Sequence, residues 1–384
     1  MVIVNKIVMT IVKIPKFEYL TYLFMQDLQD EFPAIQNQTY LNTASSGLIP
    51  RSVFDWRKQH EIDLFHNGAD FEIRNQISEH ARASVSRFFD ARIDEVALAP
   101  NFSLGFNTIL EGLPKGQKVL MIEDDYPSLL WPIETRDFKV CYACISETLE
   151  DAILQAFENH RPDVFVFSIV QWLSGIKIDL SFLKELKSKY PQVLFMADGT
   201  QYLGTEYFSF KDNAIDVLGA SCYKWILAGF GNALMMVKHQ AQERIVPATI
   251  GFNSAATFDS KATDTAFVKY FEPGHQDSLN FGSLHQAILH TERYGINAIS
   301  KKIASLSSYA KECFVALDVL DNATRNRKIH SSIFNLKVDL KLFKELKSKA
   351  IVCSPRGGGL RVSFHYYNTK EDIDLLFETM KLYL

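Results

Sequence analysis

The chain of 384 residues is poor in cysteine and has no excess of charge of either sign. Its five cysteines are too few and too scattered for a disulfide framework, which is typical of a protein kept in a reducing compartment. Lysine and arginine total 41 against 45 aspartate and glutamate residues, so the formal net charge is −4. This balance indicates no basic surface for nucleic acid. We therefore expect a cytoplasmic protein that does not bind nucleic acid.

Long hydrophobic runs are also absent. Residues 1–14 are apolar but carry Lys6 and Lys13, and their uninterrupted apolar runs are far shorter than the roughly 18 residues of a membrane span. No small-residue cleavage site follows, because Pro15 and Lys16 come directly after the apolar stretch, so a signal peptide is not indicated. We expect an N-terminal extension and helix over residues 1–35 and no membrane partner.

Short apolar runs alternate with helical stretches in the middle of the chain. Most of these runs are continuously apolar, which is typical of strands buried on both faces of a parallel sheet. The predicted strands are residues 95–99, 118–122, 140–144, 164–169, 193–197, 217–220 and 233–237, with helices at 103–112, 149–159 and 180–190. The alternation predicts a doubly wound α/β domain, whose ligands bind beyond the carboxyl ends of its strands. Neither a GxxxxGK[ST] loop nor a strand-linked GxGxxG is present, which argues against a plain nucleotide-binding protein.

The pattern changes in the last third of the chain. A long helical region is predicted at residues 282–317, short strands at 332–336, 350–354 and 360–364, and a final helix at 369–383. Thr369 and Asp372 form a variant of the capping box at the start of that helix. This mixture predicts a smaller α+β domain. We expect a large domain of residues 36–265 and a C-terminal domain of residues 266–384.

The most informative polar residues follow two successive predicted strands. Asp198 comes directly after residues 193–197, with Gln201 three positions later. Lys224 comes soon after residues 217–220, preceded by Ser221 and Tyr223. Taken singly, Asp198 is interpreted as a helix N-cap and Lys224 as a solvated lysine. As a pair at strand ends, both would face the ligand crevice.

Further motifs surround this pair in a characteristic order. They are the opening loop with Asn42 and Ser45, the turn with Phe102 and Ser103, the strand-end segments with Tyr126 and Trp172, and the Arg-x-Ser segment with Arg361. With the pair, they resemble the class V aminotransferase family of pyridoxal-phosphate enzymes, which includes cysteine desulfurases, selenocysteine lyases, kynureninase-like and isopenicillin-epimerase-like proteins. The resemblance runs from about residue 40 to the C-terminus. It implies fold-type I, with a mainly parallel seven-stranded sheet in the large domain.

The resemblance also implies catalytic roles. Lys224 forms the Schiff base with pyridoxal 5'-phosphate and moves the proton at the substrate Cα, while Asp198 holds the proton of the pyridine nitrogen. The amide of Gln201 donates to the phenolic oxygen of the ring. Arg361 binds the substrate carboxylate with its planar fork. Asn42 and Ser45 line the mouth of the pocket.

The phosphate of the cofactor needs backbone N–H groups and hydroxyls. The resemblance assigns it to Phe102 and Ser103 at a helix start and to Ser221 and Tyr223. Tyr223 stands where the family has a His. His275 would reach the phosphate in the partner subunit of a homodimer. From the residues alone, a serine N-cap at Ser103 and a loop histidine without a role remain open.

Two aromatic residues replace the family's usual side chains beside the ring. Tyr126 falls at the stacking position, where desulfurases have a His, and a tyrosine is a much weaker base near neutral pH. Trp172 stands where the family commonly has an Asn and would contact the cofactor or cap the pocket. A surface tyrosine and a core tryptophan are the alternatives.

A missing cysteine loop bears on the reaction. Desulfurases and selenocysteine lyases carry a catalytic Cys on a mobile loop before the carboxylate-binding Arg, whereas Cys353 lies in a predicted strand, and residues 354–359 are too short for such a loop. Cys141 and Cys144 fall on opposite faces of a strand, so no metal site is expected. We expect an enzyme acting at Cα of an amino acid, by transamination. A lyase, an epimerase and a non-catalytic binding protein on the same scaffold are the alternatives.

Overall fold

A computed structural model describes residues 27–255 and 265–384. Residues 27–31 are helical, and the remainder of the predicted N-terminal extension up to residue 26 lies outside the described residues. No described helix combines the length and the hydropathy that a membrane span requires. The domain bounds at residues 35 and 265 stay predictions.

The elements follow one another in two sets. The first set is β1 (Thr39–Tyr40), α1 (Arg51–Asn67), α2 (Phe71–Phe88), β2 (Val96–Ala99), α3 (Phe102–Glu111), β3 (Lys118–Ile122), α4 (Pro127–Glu134), β4 (Lys139–Ala143), α5 (Leu149–His160), β5 (Val164–Ser168), α6 (Leu180–Lys189), β6 (Leu194–Asp198), β7 (Val217–Ser221), β8 (Ala233–Val237) and α7 (His239–Gln242). The second is α8 (Ser278–Tyr294), α9 (Ile296–Ala316), α10 (Asn322–Asn326), β9 (Ile333–Leu336), α11 (Lys341–Ser348), β10 (Ile351–Val352), β11 (Ser354–Arg356), β12 (Gly359–Ser363) and α12 (Lys370–Lys381).

Seven strands form the central sheet in the order β2-β8-β7-β6-β5-β3-β4. Strands β3 to β7 are parallel to one another, and β8 runs antiparallel to both β2 and β7. The mainly parallel seven-stranded sheet expected from the sequence is therefore confirmed. Ser168 pairs with Asp198, and Asp198 pairs with Gly219, so the carboxyl ends of β5, β6 and β7 meet at one edge.

The apolar runs form strands because both faces of the sheet are covered. Val164 and Val166 belong to the hydrophobic cluster on one face, while Phe165 and Phe167 belong to the cluster on the other. All five residues of β5, β6, β7 and β8 are buried. A sheet buried on both faces leaves only its strand ends accessible to a ligand.

The C-terminal elements differ from the prediction in two places. The long helical region predicted at residues 282–317 is two helices, because the chain turns at Gly295, whose φ of 80° favours glycine. The strand predicted at residues 350–354 is split around Cys353 into β10, which pairs with β1, and β11, which joins β12 and β9 in an antiparallel sheet. The capping box of Thr369 and Asp372 at the start of α12 is confirmed.

A buried ion pair ties α2 to the edge of the central sheet. Nη2 of Arg82 donates to both carboxylate oxygens of Glu272, at 2.8 and 2.7 Å. The same carboxylate accepts from the backbone N–H of Leu98 in β2, at 3.1 Å. Both side chains are almost fully buried. The pair therefore positions the strand that leads into α3.

We expect Arg82→Leu to lower the free energy of unfolding by about 3 kcal/mol, since the buried Glu272 carboxylate loses its closest cation and keeps only Lys269 at 3.7 Å. Denaturant unfolding measures the change. Arg87→Leu is the control, because the pair of Arg87 with Glu292 is largely exposed and should contribute less than about 1 kcal/mol. Equal losses in the two variants would contradict the stabilising role of the buried pair.

Candidate active site

Lys224 and Asp198 lie in one cleft at the carboxyl edge of the sheet. The cleft is lined by Tyr126, Ser168, Val170, Trp172, Asp198, Thr200, Gln201 and Lys224. Asp198 ends β6, and Lys224 follows β7 by three residues. Burial raises the pKa of Asp198, although Lys224 opposes this, and burial lowers the pKa of Lys224, although Asp198 opposes that. The ionised carboxylate of Asp198 and the protonated amine of Lys224 therefore both destabilise the folded protein until a ligand supplies an opposite charge.

Thr200 and Gln201, in the loop after β6, form hydrogen bonds that hold the walls of the cleft in place. The backbone N–H of Thr200 donates to Oδ1 of Asp198 at 2.7 Å, and its hydroxyl accepts from the N–H of Ser221 at 3.0 Å. The Gln201 side chain donates to the carbonyl of Ala44 at 2.9 Å and accepts from Nε1 of Trp225 at 2.8 Å. The Gln201 amide thus retains one N–H for a ligand, as its predicted role requires.

Aromatic rings surround the Lys224 amine. Its Nζ lies 5.5 Å from the ring centroid of Tyr126 and 5.6 Å from that of Tyr223. Tyr126 meets Trp172 edge to face at a centroid distance of 5.7 Å, and Tyr223 stacks on Phe230 at 4.5 Å. The structure therefore brings together Tyr126, Tyr223 and Trp172, three of the predicted ligand-contacting residues.

The start of α3 lies next to β7. The backbone N–H of Phe102 donates to the hydroxyl of Ser221 at 3.0 Å. The helix begins at Phe102 and is capped by Asn101, whose Oδ1 accepts from Leu104 N–H at 2.9 Å, so it does not open at Ser103 as the sequence predicts. Ser103 lies in the first turn instead. A helix of ten residues with its N-terminus beside a serine hydroxyl suits a phosphate.

Arg361 joins the C-terminal elements to the cleft. Nη1 donates to the carbonyl of Trp172 and Nη2 to the hydroxyl of Ser45, both at 2.7 Å, while the buried Nε has no hydrogen-bond partner among the described residues. Both acceptors are neutral, and burial, with Arg356 nearby, lowers the pKa of Arg361 to about 10. A buried guanidinium that is not paired with a carboxylate of the protein can bind an anionic ligand.

Serine hydroxyls connect the opening loop to this arginine. Ser354 donates to Oδ1 of Asn42 at 2.7 Å and lies 3.0 Å from the hydroxyl of Ser45. Asn42 also forms a parallel bridge with Ser363 in β12. Asn42 and Ser45 thus lie near Arg361, and their role at the mouth of the pocket stays a prediction. Ser354 is a contact that no sequence motif indicated.

His275 lies apart from these residues. Its ring is exposed and contacts Phe71 at a centroid distance of 5.7 Å and Phe252 at 6.4 Å. It lines no part of the Lys224 cleft of its own chain. The predicted role of His275 toward a partner subunit stays a prediction.

Asp125 is a second site residue that the sequence reasoning passed over. It is 4% exposed and accepts from the hydroxyl of Ser168 at 2.6 Å, from the Ser168 N–H at 2.8 Å and from the Tyr126 N–H at 2.7 Å. It therefore orients the loop that carries Tyr126. The available signal was its position just after a buried strand, the same signal that identified Asp198.

The residues fit pyridoxal phosphate. Lys224 and Asp198 are buried charged groups in one cleft, and neither they nor Arg361 take part in any ion pair among the described residues. A ligand with a protonated ring nitrogen, an aldehyde and a phosphate would supply what Asp198, Lys224 and the start of α3 lack. In the described ranges, no group of three or more His, Cys, Asp or Glu side chains is placed to hold a metal ion.

Solved structures and curated proteins resemble the chain over most of its length. A cysteine desulfurase from Thermococcus onnurineus superposes with a TM-score of 0.81 at 17% identity, covering 93% of this chain and 97% of its own. The cystine C-S lyase C-DES superposes with a TM-score of 0.81 at 18% identity, covering 90% and 98%. These neighbours show the fold-type I architecture.

Two curated relatives align by sequence. An uncharacterised aminotransferase of Bacillus subtilis, YcbU, is 23% identical, with 89% of this chain and 93% of the relative covered. Isopenicillin N epimerase of Streptomyces clavuligerus is 21% identical, with 88% and 93% covered. The family model for aminotransferase class-V matches residues 39–376. The chain therefore belongs to the class-V aminotransferases, a family of pyridoxal-phosphate-dependent enzymes that act on amino acids.

Proposed function

We propose that the protein transfers the amino group of an amino acid, with Lys224 as the residue that moves the proton at the substrate Cα. The observation that carries the proposal is the cleft itself, in which a buried lysine and a buried aspartate lie together and no thiol is among the lining residues, while a buried arginine bonds to Trp172 in its lining. Transamination needs a base, an electron sink and a carboxylate anchor, and it needs no further nucleophile.

Each residue has a task in this reaction. When bound, pyridoxal phosphate withdraws electrons from the substrate Cα. Burial lowers the pKa of the Lys224 amine, so its neutral form, which accepts the Cα proton, is more accessible near neutral pH. Asp198 holds a proton on the ring nitrogen. Arg361 orients the substrate through its carboxylate, and the edge-to-face pair of Tyr126 and Trp172 excludes water from one side of the cleft.

The thiols closest in sequence to these residues do not suit a persulfide mechanism. Cys353 is buried between β10 and β11, and burial raises its pKa to about 11. Cys222 is fully buried in the core beside Lys224, and burial raises its pKa well above the ordinary value. A thiol nucleophile acts as the thiolate, which both environments disfavour.

We expect the holoenzyme to convert more than one equivalent of an amino acid to its 2-oxo acid only when a second 2-oxo acid is added as acceptor, and we expect Cys353→Ala to keep this rate within about twofold. The assay measures 2-oxo acid, ammonia, sulfide and the enantiomer of the substrate over a panel of amino acids. Ammonia or sulfide released without an acceptor would identify a lyase, and the opposite enantiomer would identify an epimerase. Either result, or sulfide production lost in Cys353→Ala, would contradict the proposal. If the protein bound the cofactor but converted no amino acid, the proposal would be wrong and the protein would be a non-catalytic binding protein.

The proposal includes a cytoplasmic homodimer in which His275 reaches the active site of the partner subunit. Support for the interface comes from large apolar side chains that stand exposed around His275, with Phe71 at 51% and Phe252 at 62% exposure. Exposed apolar patches of this kind are typical of subunit contacts. Support for the cytoplasm comes from the cysteines, all five of which are free.

A further inference from the structure

The hairpin of β11 and β12 carries a second arginine to the cleft. Gly357 and Gly358 form its turn with φ values of 57° and 73°, a conformation that glycine adopts without strain. Across the hairpin, Ser354 pairs with Arg361, and Arg356 pairs with Gly359. Side chains of paired residues, and of residues two apart on a strand, share one face of a sheet. Arg356, Ser354 and Arg361 therefore project from the same face.

That face is the one that borders the substrate side of the cleft. Arg361 bonds to the Trp172 carbonyl, and both Arg361 and Ser354 lie within hydrogen-bond distance of the Ser45 hydroxyl. Arg356 and Arg361 are diagonal neighbours, whose backbones lie roughly 7–8 Å apart, within reach of two long side chains converging on one small ligand.

The turn of the hairpin packs on the segment that carries Trp172. A Cβ atom added at Gly357 would lie 2.4 Å from Cδ2 of Leu173, so the turn approaches that segment closely. Gly359, opposite Arg356, contributes no side chain. This close packing sets the position of the hairpin, and with it the position of Arg356 at the cleft.

The charges on this side of the cleft are of one sign. Arg356 is exposed, and neither it nor Arg361 pairs with a carboxylate among the described residues. The pKa of Lys224 is lowered mainly by burial and further by the positive charges of Arg361 and Arg356. This agrees with the placement of both guanidinium groups near the amine. The α-carboxylate of an amino acid would satisfy one of the two arginines and leave the other without an anion.

We propose that Arg356 binds a carboxylate in the side chain of the substrate, so that the enzyme prefers acidic amino acids to their neutral counterparts. The inference rests on the proposed function, because it takes Arg361 as the anchor of the α-carboxylate. Arg356 is then a specificity residue, and its charged planar fork favours a carboxylate over an amide of the same shape.

Substrate selectivity of the holoenzyme tests the proposal. We expect kcat/KM to be higher for aspartate or glutamate than for asparagine, glutamine or 2-aminobutyrate, and we expect Arg356→Gln to reduce that acidic-to-neutral ratio by about tenfold. Arg356→Lys keeps the charge without the fork and should retain part of the ratio. Arg92→Gln, which removes an exposed arginine far along the sequence from the hairpin, should leave the ratio unchanged.

A binding measurement separates this inference from the proposed reaction. We expect succinate and glutarate, but not butyrate, to raise the melting temperature of the holoenzyme, and we expect Arg356→Gln to lose this difference. If acidic and neutral amino acids react equally, or if the ratio survives Arg356→Gln, the role of Arg356 is wrong while the Lys224 chemistry stands. If no amino acid reacts but dicarboxylates still distinguish wild type from Arg356→Gln, the reaction is wrong and the second anion site stands.

Discussion

Replacing Lys224 with alanine should abolish the activity, with a fall in kcat of at least about 10⁴-fold. The variant loses both the amine that attaches the cofactor and the base at the substrate Cα. We expect the protein, once mixed with pyridoxal phosphate and desalted, to lack the visible absorption band of a lysine-linked cofactor that wild type shows. Absorption spectra and turnover of the two proteins, measured side by side, check both expectations.

Two controls make the result specific. Lys211→Ala removes an exposed lysine and should keep both the band and the activity. Added ethylamine should restore part of the turnover of Lys224→Ala, because the truncation leaves space for a small amine beside Tyr126 and Tyr223. A wild-type protein that shows no band after reconstitution would overturn the assignment of Lys224, as would an alanine variant that stays active.

The sequence predicted the features that depend on local patterns. Each strand of the central sheet differs from its predicted bounds by at most one residue, because a strand buried on both faces leaves a continuous apolar run. The position of Asp198 and Lys224 in one cleft could be predicted for the same reason, since both polar residues follow the ends of such runs. The fold-type I architecture followed from the order of these motifs, and the structural neighbours confirm it.

Contacts between distant segments could not be predicted in this way. Arg361 bonds to Ser45, which lies 316 positions away, and nothing local to either residue encodes that pairing. The face on which Arg356 projects depends on hairpin register, and a shift of one residue would reverse it. The helix is capped by Asn101 and not by Ser103. Both side chains can cap a helix, and helix propensity does not decide between two such neighbours.

Replacing Asp198 with asparagine should have opposite effects on activity and stability. Without the carboxylate, the ring nitrogen loses the group that holds its proton, and we expect kcat to fall at least about 100-fold. In the cofactor-free protein, however, burial raises the pKa of Asp198, so its ionised form destabilises the fold. The variant should therefore unfold at a higher temperature than wild type at pH 7.5, with a gain of about 1 kcal/mol or about 2 °C.

The dependence on pH follows from the direction of the shift. Below about pH 4, the ordinary pKa of aspartate, the carboxyl is protonated in both the folded and the unfolded chain, so the ionisation of Asp198 no longer contributes to the difference in stability between the two proteins. As the pH rises from the ordinary pKa of aspartate toward the raised pKa of about 6 in the folded state, the unfolded chain loses this proton before the folded chain does. The penalty therefore develops in wild type over this interval and stays constant at higher pH. Melting temperatures of the cofactor-free proteins between pH 4 and pH 8 measure the difference.

Asp216 provides the matched control, because it is about equally buried, directly before the neighbouring strand β7, but has a partner. Its Oδ2 accepts from Nζ of Lys187 at 2.6 Å and from the backbone N–H of Phe195 at 2.8 Å. Asp216→Asn should therefore lower the melting temperature at pH 7.5, the opposite of Asp198→Asn. A loss of stability in both variants would mean that Asp198 serves the fold, and its assignment to the ring nitrogen would be wrong. Opposite signs would show that the fold keeps an unfavourable carboxylate at the end of β6 for the sake of its ligand.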